Sequence, residues 1–126
     1  APTVSKRIHA MQQCAEHGWP IGIRLDPIID VPDYEQLYND LIKSIFSILS
    51  AKQVHSISLG PLRFPIPYYH KLRTLYPNDA FVAQPLQKSK IYYSYSQERE
   101  QQLKTMVMQL LQQYVNKNQL FECYTS

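Results

Sequence analysis

The fold is decided by the segment PIGIRLDP, residues 20–27, a short apolar run that ends at a proline. A run of this length and composition predicts a buried β-strand. Arg24 and Asp26 lie two residues apart near its carboxyl end, so the strand places both side chains on one face. Parallel α/β folds bind their ligands at this end of the strands, which makes these two residues the first candidates for a functional site.

The segments on either side of this strand predict two helices. An amphipathic helix is expected from a cap at Ser5 to His17, with Gly18 positioned to end it. A second helix is expected to follow Asp33 as its N-cap, with Gln36 at the capping-box position. The apolar residues of the second helix recur every four positions, at Leu37, Leu41, Ile45 and Leu49.

A second strand and a smaller C-terminal region complete the predicted order. The segment VHSISL, residues 54–59, predicts a strand, and the order helix, strand, helix, strand predicts parallel βαβ construction. The later elements are expected to be a helix at 68–75, a turn at 76–79, extended segments near 80–83 and 91–95, a helix at 97–114 and a strand at 120–124. Two strands leave open sheet edges, which either the C-terminal strands or neighbours outside this sequence must cover. We therefore expect an α/β fold in one compact unit, with βα units in residues 1–62 and a β/helix extension in residues 63–126.

Composition narrows the class of protein. No apolar stretch reaches about 18 residues and the first residues lack the apolar run of a signal peptide, which predicts a soluble protein without a membrane partner. Cys14 and Cys123 lie far apart in sequence and form neither a disulfide framework nor a C-x-x-C pair, so a reducing compartment, the cytoplasm, is expected. The four histidines show no ligand spacing and the three glycines form no phosphate loop. We therefore expect neither a metal site nor nucleoside triphosphate hydrolysis.

The strand ends supply the first set of candidate site residues. Arg24 and Asp26 either pair with each other as a buried ion pair or hold a charged ligand, such as the carboxylate, amino group or ribose of a nucleotide cofactor. Ser58 and Gly60 end the second strand and are candidates for the same region. A plain exit from strand to loop accounts for them equally well.

The middle of the chain carries the positive charge. Between residues 63 and 90, five basic residues face one acidic residue, Asp79; they are Arg63, Lys71, Arg73, Lys88 and Lys90. The segment QKSKIYYSYS, residues 87–96, adds Tyr92, Tyr93 and Tyr95. Cations that follow a phosphate backbone beside rings that stack on bases are typical of nucleic-acid binding. The alternative is a solvated basic face over an ordinary strand whose tyrosines are half-buried.

Several of these segments together resemble a known family. The segments at 6–8 and 14–29 resemble a helix followed by the strand pattern G-[YW]-P-[IVL]-G of the spore photoproduct lyase family. The segment HSISL at 55–59, Arg63-Phe64, Tyr76-Pro77 and the ending FECYT at 121–125 are similar to later parts of the same family. The resemblance covers nearly the whole chain.

The resemblance implies the C-terminal part of a partial TIM barrel in a radical S-adenosylmethionine DNA-repair lyase. In that family a [4Fe–4S] cluster, held by a Cys-x-x-x-Cys-x-x-Cys motif, cleaves S-adenosylmethionine, and the radical formed starts reversal of a thymine-dimer lesion. This chain lacks the motif, so the resemblance implies that the cluster belongs to an N-terminal barrel portion upstream and that the chain alone is not an enzyme.

The resemblance also assigns regions to partners. It places Arg24 and Asp26 near the cofactor and the chain from Arg63 onward, with Ser58, toward DNA. The family carries a basic, aromatic β-hairpin before its last helix, and the matching stretch here, residues 86–96, is shorter and lacks glycine. The alternatives are a radical enzyme on a substrate other than DNA, a non-catalytic nucleic-acid-binding module, and a scaffold fragment that self-associates through an open sheet edge.

Overall fold

The computed structural model describes residues 3–122. Its elements are α1 (Val4–Glu16), β1 (Ile21–Ile28), α2 (Tyr34–Phe46), β2 (Val54–Pro61), β3 (Arg63–Pro65), α3 (Ile66–Leu75), α4 (Ala80–Ala83), β4 (Gln87–Lys88), β5 (Tyr92–Ser94), α5 (Gln97–Gln112) and β6 (Leu120–Glu122), with 3₁₀ turns at Ala51–Gln53 and Lys117–Gln119. The predicted end of the last strand, at residues 123–124, lies outside the described range.

The strands form two small sheets. The first is fully parallel in the order β1-β2-β6, and the second is antiparallel in the order β3-β5-β4. The predicted α/β fold with parallel βαβ construction is confirmed. A strand from the C-terminal region also joins the first sheet beside β2, which was one of the two expected ways of covering its open edge.

One face of the parallel sheet carries the core. Ile23, Ile57 and Leu59 are buried there with residues of α2 and α5, among them Ile42 and Leu103. Side chains alternate between the two faces of a strand. The other face therefore carries small and polar residues, and along β1 these are exposed: Gly22, Arg24 and Asp26.

The helices begin for local reasons that the sequence showed only in part. The Thr3 hydroxyl accepts the Lys6 backbone N–H at 3.2 Å, so Thr3 caps α1 in place of the expected Ser5. Gly18 follows the helix with a φ of 79°, a left-handed conformation that favours glycine. Ser96 caps α5 by accepting the Arg99 N–H at 3.1 Å.

The start of α2 differs from its prediction. Asp33 is the N-cap, but its φ of 61° is left-handed and its side chain makes no capping hydrogen bond. Gln36 instead donates to Asp40, one turn along the helix, at 2.8 Å. Leu37, an expected core position, is 54% exposed, while Ile42 is buried. One helical turn is about 3.6 residues, so apolar residues spaced four apart rotate gradually around the helix. The predicted apolar stripe of α2 therefore does not stay on the face that packs against the core.

The segment at 80–83 is a short helix, and the prediction of an extended segment there was wrong. The Asp79 carboxylate accepts the Val82 N–H at 3.3 Å, so the turn predicted at 76–79 leads into a helical start. Within residues 3–122 no helix has the length and apolar character needed to cross a membrane.

Candidate functional site

Arg24 and Asp26 meet on the polar face of the parallel sheet. Their side chains form an ion pair, Arg24 Nη2 to Asp26 Oδ2 at 3.0 Å, and they are 70% and 32% exposed. Of the two alternatives that the sequence left open, the pairing is present, but the pair is exposed and not buried; binding of a charged ligand stays a prediction. Exposed ion pairs contribute about 0–1 kcal/mol, so a ligand can replace this one at small cost.

Gly60 gives Asp26 its position. A Cβ atom at Gly60 would lie 2.7 Å from the Asp26 Cγ, closer than real Cβ contacts occur. The absence of a side chain therefore lets the Asp26 carboxylate lie directly on the backbone of β2. The sequence offered a plain strand exit as an alternative for Gly60, and the contact with Asp26 gives this glycine a packing reason.

Ser58 extends the same polar face across the sheet. It lies opposite Arg24 in the register of β1 and β2, and opposite Phe121 in the register of β2 and β6. Ser58 is half-buried and Phe121 is 53% exposed. The face thus presents an ion pair, a hydroxyl and one aromatic ring in a row.

A cavity lies at the carboxyl ends of the parallel strands, beside α5. Its volume is about 470 Å³, and Ile28, Gly60 and Glu122 are among the residues that line it. Two ion pairs lie at its wall: Arg63 with Glu100 at 3.4 Å, and Lys104 with Glu122 at 3.3 Å. Sequence reasoning missed this charged face of α5, although the run EREQQLK at 98–104 carries the charges and could have indicated it.

A short hairpin presents two of the predicted lysines. β4 pairs with β5 so that Lys88 lies opposite Tyr93, and Lys90 and Ile91 form the exposed tip. The Ser89 hydroxyl closes the turn by accepting the backbone N–H of Tyr92 at 3.2 Å. The hairpin is as short as the sequence indicated.

Arg63 is engaged within the fold. Besides its ion pair with Glu100, its guanidinium lies 4.6 Å from the centre of the Tyr92 ring. Its side chain is only 18% exposed. Arg63 therefore packs against the hairpin through the ring of Tyr92, which is half-buried.

The two remaining tyrosines differ in their surroundings. Tyr93 packs against Tyr69, with ring centres 4.2 Å apart, and its hydroxyl lies 3.2 Å from His70 Nε2. Tyr95 is 5% exposed; its hydroxyl accepts the Asp30 N–H at 2.9 Å and donates to Gln84 at 2.7 Å. Burial raises the pKa of Tyr95. Its ring is enclosed by the protein, so the structure gives Tyr95 a structural role in place of the predicted base contact.

Lys71 and Arg73 lie on α3, apart in sequence from the hairpin lysines. Both are exposed, and the Arg73 guanidinium lies 5.8 Å from the centre of the Tyr69 ring. The predicted basic residues thus divide into a hairpin pair, Lys88 and Lys90, and a helix pair, Lys71 and Arg73. Arg63 belongs to neither pair.

A contact that sequence reasoning missed joins the loop after β1 to α5. Arg99 donates from Nε and Nη2 to both carboxylate oxygens of Asp30, each at 2.8 Å, and its guanidinium lies 4.9 Å from the centre of the Tyr34 ring. The hydrogen bond from Arg99 lowers the pKa of Asp30, and that same bond raises the pKa of Arg99. The neighbouring Ile29 N–H donates to the Tyr38 hydroxyl at 2.9 Å.

Among residues 3–122 no cluster of three or more histidine, cysteine, aspartate or glutamate side chains is placed to hold a metal ion. Cys14 is half-buried on α1, and Cys123 lies outside the described residues.

Comparison with solved structures finds spore photoproduct lyase. One match is the lyase complexed with dinucleoside spore photoproduct, at 16% identity and a TM-score of 0.76. Another is a lyase mutant with bound AdoMet and dinucleoside spore photoproduct, at 16% identity and a TM-score of 0.71. Both matches cover 100% of this chain and 39% of the lyase chain. At this identity the likeness is one of fold, and the chain spans about two fifths of the length of the lyase.

No protein-family model matches the chain, and a search of curated protein sequences gives no match.

Proposed function

We propose that this chain is the substrate-facing, C-terminal part of a radical S-adenosylmethionine lyase that acts on DNA. The observation that carries the proposal is the likeness of fold over the whole chain to lyase structures that hold AdoMet and dinucleoside spore photoproduct. The division into late barrel units at 1–62 and a DNA-facing extension at 63–126 belongs to the same proposal. β6, which comes from the second part, ties the two together.

The polar face of the sheet supports an upstream barrel portion as a partner. Parallel sheets are normally covered on both faces. Here the described helices pack on the apolar face, while Arg24 and Asp26 are exposed on the other. In the proposed assembly the polar face lines the interior of the barrel that the upstream portion completes.

The residues of this chain fit S-adenosylmethionine but not the iron–sulfur cluster. A cluster of this class needs three thiolates, and the chain has two cysteines at opposite ends of the sequence. On the polar face, Arg24 would donate to the cofactor's carboxylate, and Asp26 would accept from its amino group or ribose hydroxyls. When bound, S-adenosylmethionine would supply radical chemistry, for which the cluster of the upstream portion would donate the electron. This chain's contribution is to bind and orient the cofactor.

The hairpin supports the DNA contact. Lys88, the last residue of β4, and Lys90, at the tip, are exposed cations, and Ile91, beside Lys90 at the tip, is an apolar side chain that is 60% exposed. Proteins that distort DNA insert apolar side chains between bases while neighbouring cations bind phosphates. Tyr92 lies next in sequence, half-buried over Arg63. In this proposal the hairpin tip binds a DNA strand or the lesion within it.

Binding of fluorescent oligonucleotides, measured by polarisation across a salt series, tests the DNA contact. Replacing Lys88 and Lys90 by alanine should weaken binding to single strands and reduce the slope of log affinity against log salt by about 1.4, the value for two phosphate contacts. The matched control replaces Lys43 and Lys52, two exposed lysines outside the antiparallel sheet. Equal effects from the two double variants would refute a hairpin site.

A separate experiment tests the cofactor contact. Asp26→Asn should lower the yield of 5′-deoxyadenosine when the chain is joined to the upstream portion that carries the cluster, because the amide no longer accepts with a full charge. Unchanged yield would assign Asp26 to structure alone. A gene whose sequence upstream of this chain lacks the three-cysteine motif would overturn the radical mechanism.

A non-catalytic nucleic-acid-binding module is the second candidate. The observation that favours it is that the hairpin and the helix pair are built within this chain. Salt-sensitive DNA binding by a protein without the upstream motif would select it.

The shortness of the hairpin, two residues in β4 and three in β5, also favours a substrate other than the spore lesion.

A further inference from the structure

We propose that the groove between α3 and the segment that follows α4 binds a backbone phosphate of a nucleic-acid strand, as a second contact beside the hairpin. The inference rests on the proposed DNA-facing role and names a new part of that surface. The groove has a volume of about 720 Å³. The residues that line it include Tyr69, His70, Arg73, Val82, Ala83 and Tyr93.

The charge of the lining fits an anion. Arg73 supplies a guanidinium cation, and among the described residues that line the groove none carries a carboxylate. The nearest acidic residue in sequence, Asp79, accepts a hydrogen bond from the Val82 backbone and is not part of the lining. An entering phosphate therefore meets a guanidinium, which can donate two hydrogen bonds to it, without an opposing carboxylate.

The ring of Tyr69 positions Arg73 at the groove. Its guanidinium lies 5.8 Å from the centre of the Tyr69 ring. Tyr69 is itself 6% exposed, and its hydroxyl donates to the Val82 carbonyl at 2.9 Å across the groove floor. A cation over a fixed ring loses less conformational freedom when it binds a ligand than a free surface lysine does.

β5 connects the groove to the hairpin. Successive side chains of a strand point to opposite faces, so Tyr92 lies over Arg63 while Tyr93 turns to His70 and the groove. Lys88 lies opposite Tyr93 in the hairpin register. A nucleic-acid strand whose phosphates bind Lys88 and Lys90 would therefore pass Tyr93 and then Arg73.

Two variants separate the groove from the hairpin. Arg73→Ala removes the cation, and Ala83→Trp fills the groove from an exposed position without changing the charge. Each should weaken binding of single-stranded oligothymidylate by roughly fivefold, the loss of one partly exposed charged contact. Arg73→Ala should also reduce the salt slope by about 0.7. Lys52→Ala is the matched control of charge, and thermal melting verifies that each variant is folded.

Titration with inorganic phosphate, followed by the amide NMR shifts of residues 69–74 and 93, distinguishes the possible failures. Saturable shifts that Arg73→Ala abolishes, together with weaker oligonucleotide binding by both groove variants, support the proposal. Oligonucleotide binding that neither variant changes would overturn the groove while leaving the hairpin intact. If the chain binds inorganic phosphate but no oligonucleotide, the groove does not bind the phosphate of a nucleic-acid strand. That result would also overturn the proposed DNA contact.

Discussion

Arg99→Ala should destabilise the protein by about 2 kcal/mol. The bidentate pair with Asp30 has two contacts of 2.8 Å, with side chains 35% and 28% exposed. Hydrogen bonds to charged groups contribute about 1.5–3 kcal/mol each and exposed ion pairs about 0.2–1 kcal/mol, so this bidentate pair, about one third exposed, is expected to contribute about 1.5 kcal/mol. The contact with the Tyr34 ring adds about 0.5 kcal/mol. For a domain of this size the expected fall in melting temperature is about 8 °C.

The pH dependence of the unfolding free energy tests whether Asp30 is the partner through which Arg99 stabilises the fold. Its pKa is lowered in the folded state by the hydrogen bond from Arg99. A group of this kind stabilises the fold above its unfolded pKa, about 3.9, and loses that contribution as the pH falls through the folded pKa. The difference in unfolding free energy between wild type and Arg99→Ala should therefore be constant from about pH 8 to pH 5 and shrink below about pH 4.

Thermal and urea unfolding, followed by circular dichroism from pH 3 to pH 8, measure this difference. Arg99→Lys keeps the charge but not the bidentate geometry, so it should lie between wild type and the alanine variant. Arg24→Ala is the control, because it removes an ion pair whose arginine is 70% exposed and should change stability by less than about 1 kcal/mol. A melting temperature for Arg99→Ala equal to that of wild type, or a difference that persists unchanged at pH 3, would refute the reasoning.

Two further substitutions test particular contacts. Gly60→Ala should displace the Asp26 carboxylate and break its pair with Arg24, because the new Cβ would lie 2.7 Å from Cγ; the stability loss should be about 1 kcal/mol, and unchanged Asp26 side-chain NMR shifts would contradict the prediction. Tyr95→Phe should cost about 1–2 kcal/mol in urea unfolding, because the Asp30 N–H loses its acceptor; a smaller loss than that of an exposed-site variant, Tyr68→Phe, would show that the hydroxyl is dispensable.

The elements with strong local signals could be predicted from the sequence. β1 is a short apolar run closed by proline and β2 alternates apolar with polar residues before Gly60, and both local patterns predict a strand. The burial of β1 was overestimated, because only one of its faces packs on the core. The helix predicted at 97–114 is present as α5, and Leu103, Val107 and Leu111 are buried along it. The likeness of fold to the lyase was also anticipated, because the quoted segments keep their order along the chain.

The errors have a common physical origin, which is that partners distant in sequence decide the outcome. Tyr95 has the same residue type as Tyr92 and Tyr93 in the same segment, yet it is buried and accepts the backbone N–H of Asp30, 65 positions away. The DNA contact of Arg63 stays a prediction, but its ion pair with Glu100 and its contact with the Tyr92 ring were not indicated by the sequence. Asp33 was predicted correctly as the N-cap of α2, but its left-handed backbone and missing side-chain cap were not; the segment at 80–83 was predicted wrongly as extended, because the helical start that Asp79 caps depends on the turn geometry of the folded chain.

The contacts missed from sequence are the ones that join the two proposed ligand regions. The loop after β1 begins where the strand carrying Asp26 ends, and it is held at Asp30 by Arg99 of α5 and by Tyr95, the residue that follows β5. These hydrogen bonds fix the hairpin strand relative to the carboxyl end of the parallel sheet. A lyase that passes a radical from a cofactor on the sheet to a substrate on the hairpin needs the two held in fixed geometry, because a displacement of about 1 Å can lower a rate by two orders of magnitude. If the proposed function is correct, weakening this link should therefore lower turnover more than it lowers DNA affinity.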